Sequence, residues 1–166
     1  MEARLKELER IFGEKILLYS NLLECLKREQ EYLIEVDMER LWVVSEEKQE
    51  IISNIHKIDS RIDTILLEIF PEVKEESRRI PMSEVIPRLP DRYQKRLKSL
   101  NLTLFLLEKE VKSLGRENML FIEDSLQFLD QILAILTQGK DSNQIYNKRD
   151  LLSKEPQYNL LLSRKV

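Results

Sequence analysis

The chain has 166 residues, 34% of them charged, with three glycines, five prolines, one cysteine and a net charge of −3. That is enough chain for one largely helical domain with its own core, and the slight negative charge gives no general attraction to nucleic acid or anionic membranes. Cys25 stands alone, which excludes an internal disulfide, and no run approaches the roughly eighteen apolar residues of a membrane span.

Met1–Arg10 alternates charged and apolar residues and lacks the apolar stretch of a signal peptide, so the expected location is cytoplasmic. Residues 4–36 follow a seven-residue step. Leu5, Phe12, Tyr19, Leu26 and Leu33 hold one seam position; Leu8, Lys15, Leu22, Glu29 and Val36 hold the other. Gly13 costs this helix about 1 kcal/mol relative to alanine. Cys25 flanks the seam and reads as a packed thiol rather than a nucleophile.

Residues 38–70 give the cleanest seam. Leu41, Lys48, Ile55, Ile62 and Ile69 alternate with Val44, Ile51, Ile58 and Ile65, and Lys48 is the polar intruder. The many β-branched residues suit strands, but their spacing of three and four is helical. One residue is inserted between the two seams, since the first would next fall on Arg40 and the second begins at Leu41. With Asp37 placed as an N-cap, this phase slip favours a hairpin over one continuous helix. A turn near Asp37 would put Glu29 and Lys48 at one level, as a partly wet pair.

Phe70-Pro71 ends the second helix. Residues 71–90 hold four of the five prolines and form the connection, in which Ser83-Glu84-Val85-Ile86 suggests one helical turn capped by Ser83. Residues 91–138 then form the longest predicted helix, about 72 Å at the helical rise. Asp91 and Gln94 supply a capping-box-like start, and Gly139 suits the stop. One seam position runs Leu97, Leu104, Val111, Asn118, Ser125, Ile132, and its partner runs Leu100, Leu107, Leu114, Phe121, Phe128, Ile135. Asparagine at such a position usually fixes register. After Gly115 the apolar face widens through Met119, Leu120, Ile122, Leu126, Leu129, Leu133 and Leu136, more surface than a seam needs.

Residues 140–166 have no heptad. Ile145-Tyr146, Leu151-Leu152, Tyr158 and Leu160-Leu161-Leu162 are short apolar clusters among Asn, Ser, Lys and Pro156, as in a segment that orders on a partner. The segment 137–166 carries six bases and three acids, so it is basic on an acidic body. The expected division is a helical bundle over 1–139 and a C-terminal binding tail over 140–166.

Signals for chemistry are few. The single histidine, His56, cannot furnish a four-helix di-metal site, and there is no phosphate loop, Cys-x-x-Cys pair or nucleophile elbow. Carboxylate pairs such as Glu46/Glu47 and Glu75/Glu76 read as solvated faces. The expectation is binding by helical surfaces, with no catalysis, metal or cofactor.

Several segments together resemble the FlgN family of flagellar type III export chaperones. Met82-Ser83-Glu84-Val85-Ile86-Pro87-Arg88-Leu89-Pro90 is similar to the short turn before that family's last long helix. Glu117-Asn118-Met119-Leu120-Phe121-Ile122 is similar to its Asn followed by an apolar pair. Ile145-Tyr146-Asn147-Lys148-Arg149-Asp150 is similar to its Thr-Tyr-x-x-x-Gly, with Asp150 where the family usually has glycine. Leu161-Leu162-Ser163-Arg164-Lys165-Val166 is similar to its closing apolar-basic segment. The resemblance implies a cytosolic chaperone that binds the hook-associated junction proteins, blocks their premature assembly and brings them to the flagellar export machinery.

The expected fold is all-α: an antiparallel bundle of three long helices, a short helical turn in the connection and an irregular tail. Its expected partner-binding residues are Asn118, Phe121, Ile122, Leu126, Leu129, Leu133, Leu136, Ile145, Tyr146, Leu151, Leu152, Tyr158, Leu161 and Leu162. No nucleic acid and no membrane insertion are expected. A self-associating coiled-coil scaffold, for instance a homodimer, is the alternative reading.

Overall fold

A computed structural model describes residues 1–71 and 81–141, and side chains up to residue 137. Every regular element among the described residues is helical: α1 (Glu2–Glu35), α2 (Met38–Ile69), α3 (Met82–Val85), a 3-10 turn (Ile86–Arg88) and α4 (Asp91–Asp141). The chain divides into two compact units, Met1–Leu126 and Gln127–Val166.

In the first unit α1 and α2 are separate helices joined by a tight turn. Val36 takes the left-handed conformation (φ 58°), its N–H donating to the Leu33 carbonyl, while the Asp37 N–H donates to Tyr32. This arrangement closes the helix end, but it falls on a β-branched residue where glycine is usual. Val36 therefore leaves the seam to which its spacing assigned it and stands 73% exposed. Asp37 caps α2, accepting from the Arg40 N–H at 3.0 Å. That contact, reinforced by the Arg40 side chain, holds the Asp37 carboxyl below its ordinary range.

The two helices run antiparallel, because the ion pairs between them descend in register. Arg4 meets Glu68 (2.6 Å), Lys15 meets Asp59 (2.8 Å) and Arg28 meets Glu47 (2.8 Å). Phe70 closes α2 with its N–H on the Leu66 carbonyl, and Pro71 blocks continuation. In the connection, α3 begins at Met82 behind Pro81, so Ser83 lies inside the helix and does not cap it. Pro81 holds the extended conformation that precedes a helix, so the cap stands two residues upstream of Ser83.

α4 begins directly after Pro90. Gln94 reaches back as expected, but its amide donates to the Leu89 carbonyl at 2.7 Å rather than accepting from the Asp91 N–H, and Asp91 is the first helical residue rather than the cap. The helix runs through Gly139 to Asp141 rather than stopping at 138. A helical glycine costs about 1 kcal/mol, which a helix this long absorbs.

Two apolar clusters fill the first unit. One joins Leu5, Leu8, Ile11 and Phe12 of α1 to Ile58, Ile62, Ile65 and Leu66 of α2, to Val85 and Ile86, and to Tyr93, Leu97 and Leu104 of α4. The other gathers Leu22, Cys25, Leu26, Val44, Ile51 and Ile55, with Val111 and Leu114 against them. Burial pushes the Cys25 thiol up, with the Glu47 carboxylate adding to the effect, so it is a packing group rather than a nucleophile. The described part of the second unit is the end of α4, from Gln127 onward.

Candidate functional site

The contacts of α1 with α4 ascend together. Glu2 meets Arg92 (2.6 Å), Glu9 meets Arg96 (3.6 Å) and Lys15 meets Glu108 (3.5 Å). Further along, Leu26 touches the Gly115 position and Glu29 meets Asn118. The two helices thus lie parallel in register. α1 ends at Glu35, and the same step beyond Asn118 reaches Asp124, where α4 runs out of a partner on α1.

The furthest of these ties is polar. Glu29 is only 6% exposed, and its carboxylate is held from two sides: the Lys48 ammonium bonds one oxygen, and the Asn118 amide donates to the other at 3.0 Å. The second Asn118 N–H donates to the Leu26 carbonyl at 2.9 Å, and Asn118 is 2% exposed. Its Oδ1 is buried and has no hydrogen-bond partner among the described residues. Three of the five polar residues on the seams, Glu29, Lys48 and Asn118, therefore form one cluster linking α1, α2 and α4. Above it opens a groove of about 410 Å³, walled by Leu22, Leu26, Ile52, Val111, Met119 and Ile122.

Asn118 is thus engaged in internal packing. The other expected binding residues stand differently. In the first unit Phe121, Ile122 and Leu126 are exposed, together with Met119 and Leu120. In the second, Leu129, Leu133 and Leu136 are exposed, together with Phe128 and Ile135. Ile145, Tyr146, Leu151, Leu152, Tyr158, Leu161 and Leu162 lie outside the described residues. Large apolar side chains exposed in this number on one helix mark a surface that meets another.

The sequence model of the FlgN family, described as FlgN protein, matches residues 1–153. The chain belongs to the FlgN family. Its members are chaperones that bind flagellar proteins. No curated protein and no solved structure matches the chain.

Among the described residues no group of His, Cys, Asp and Glu is placed to hold a metal ion, and His56 is exposed on α2. No described helix is long and apolar enough to cross a membrane. Sequence reasoning overlooked Trp42, which stands 75% exposed beside the α1–α2 turn with Met38 and Val43. The available signal was its place outside both seam positions of α2.

Proposed function

We propose that this FlgN-family chain is a non-enzymatic, cytoplasmic export chaperone for the hook-associated junction proteins. It shields their assembly-prone amphipathic segments and presents them to the flagellar export apparatus. In this reading α1, α2 and the first part of α4 form an antiparallel three-helix bundle whose role is to hold α4 in place. Support for that arrangement comes from the opposed register of α1 with α2 and the shared register of α1 with α4.

The carrying observation is the exposure of Phe121, Ile122, Leu126, Leu129, Leu133 and Leu136 on α4. An amphipathic partner helix meets such residues at its own three- and four-residue steps, exchanging water for apolar contact at about 25 cal/mol per Å². The segment 140–166, with Ile145, Tyr146, Leu151, Leu152, Tyr158, Leu161 and Leu162, adds a second binding element that folds against the cargo. Asn118 serves this surface indirectly, by fixing where α4 lies on α1.

Copurification of the full chain with a hook-associated protein tests the proposal. Leu129→Asp and removal of 140–166 are each expected to weaken capture while leaving helical circular dichroism of the remaining chain intact. Capture unaffected by either change would overturn the proposal. A light-scattering mass of twice the chain, lost on Leu129→Asp, would instead assign the α4 surface to a second copy of this chain.

A further inference from the structure

The turn between α1 and α2 exposes a further set of apolar residues, none of them on α4. Ile34, Val36, Met38, Trp42 and Val43 are all largely exposed, within ten residues of one another in the chain. Met38 and Trp42 stand four apart on α2 and so share a face. Val36 adds a second cost to the free protein, because a branched residue in the left-handed region is strained. Glycine or asparagine would satisfy the same turn without strain and without exposing an apolar side chain.

The charge around this surface is one-sided. Residues 31–47 contain six acids (Glu31, Glu35, Asp37, Glu39, Glu46, Glu47) and one base, Arg40. Arg40 is already engaged by Asp37 at 2.7 Å and Glu35 at 3.7 Å, and stacks on the Tyr32 ring at 5.0 Å. Glu47 is taken by Arg28, which holds its carboxyl below the ordinary range. Glu31, Glu39 and Glu46 are exposed and make no ion pair with a described residue.

This charge selects among occupants. A second copy would bring the same excess of carboxylates against this one, and an anionic bilayer would repel it as well. A segment with apolar residues between lysines or arginines meets both features at once. We propose that the tip of the α1–α2 hairpin docks a basic-flanked apolar segment of another protein, with Trp42 and Met38 as its apolar anchors and Glu39 and Glu46 meeting its cations. This docking is argued from residues of α1 and α2 alone, not from the α4 residues of the chaperone reading, and does not depend on that reading.

Trp42 is the single tryptophan of the chain, so its fluorescence reports on this tip alone. The full chain is titrated with a helical peptide made only of leucine and lysine, and with its leucine–glutamate counterpart. The expected result is a saturable blue shift with the lysine peptide, none with the glutamate peptide, and about tenfold weaker binding in Glu39→Lys/Glu46→Lys. Circular dichroism checks that the variant is folded, and raising the salt concentration weakens the same binding in the unaltered chain without any substitution. The proposal is overturned by no shift with the lysine peptide, by an equal shift with the glutamate peptide, or by binding insensitive to both salt and charge reversal. A shift on phosphatidylglycerol vesicles alone would assign the tip to a membrane. A shift that grows with protein concentration alone would assign it to a second copy; either result overturns the proposal.

Discussion

Lys48→Met isolates the polar cluster beneath the groove. It removes the ammonium that faces Glu29 and leaves that carboxylate almost wholly buried, with the Asn118 amide at 3.0 Å as its remaining donor. Breaking a fully buried pair costs about 3–5 kcal/mol. Here the Lys48 side chain keeps 25% of its exposure, so water reaches the vacated side, and the expected loss is about 2 kcal/mol. At a urea m-value of about 2 kcal/mol per molar, the unfolding midpoint falls by about 1 M. Replacing both partners, as Glu29→Leu/Lys48→Met, removes the stranded charge and is expected to recover most of the loss, leaving the protein within about 1 kcal/mol of its starting stability. Urea unfolding followed by circular dichroism completes the cycle with Glu29→Leu alone. A Lys48→Met loss below about 0.5 kcal/mol, or a double variant weaker than Lys48→Met, would refute the claim that Glu29 depends on Lys48.

Gly13 lies inside α1 with nothing within 4 Å of where a Cβ would stand, so Gly13→Ala is expected to stabilise by about 1 kcal/mol, read as a higher urea midpoint. Val36→Gly relieves a left-handed branched residue and is expected to gain a similar amount, about 1 kcal/mol, by the same measurement. Leu97→Ala, in the fully buried core of the first unit, should cost about 2–5 kcal/mol; Leu129→Asp, at an exposed position, should leave the midpoint nearly unchanged. Tyr19 is pushed up to about 12 by burial, with Glu108 and Asp59 adding to it. A folded-state value above the unfolded one means this stability is complete below about pH 10 and is lost as pH rises toward 12. Tyr19→Phe should therefore flatten the alkaline decline of stability, and ultraviolet titration of the phenols should lose its highest-pH component.

The helices, their order and most of their buried faces were legible in the sequence, because a seven-residue step constrains every third or fourth residue at once. The inserted residue between the seams and the capping power of Asp37 identified the hairpin. Counting from that turn brought Glu29 to Lys48, since two helices of known rise leave little freedom in register. The widened apolar face of α4 was equally readable, because side-chain chemistry and helical spacing need no tertiary information. Other features depend on which surface meets which. Asn118 was visible as a seam-breaker, but only the third helix lying on the hairpin joined it to Glu29 and Leu26. Lys15 stands at a seam position with no partner readable from the spacing, and Asp59 and Glu108, from two other helices, close around it. Trp42 and its neighbours were passed over because exposure is a property of the packed chain, and a residue off the seam is covered or left bare by what packs around it. Local periodicity determined the elements; long-range packing decided which polar residues found partners and which apolar residues were left without them.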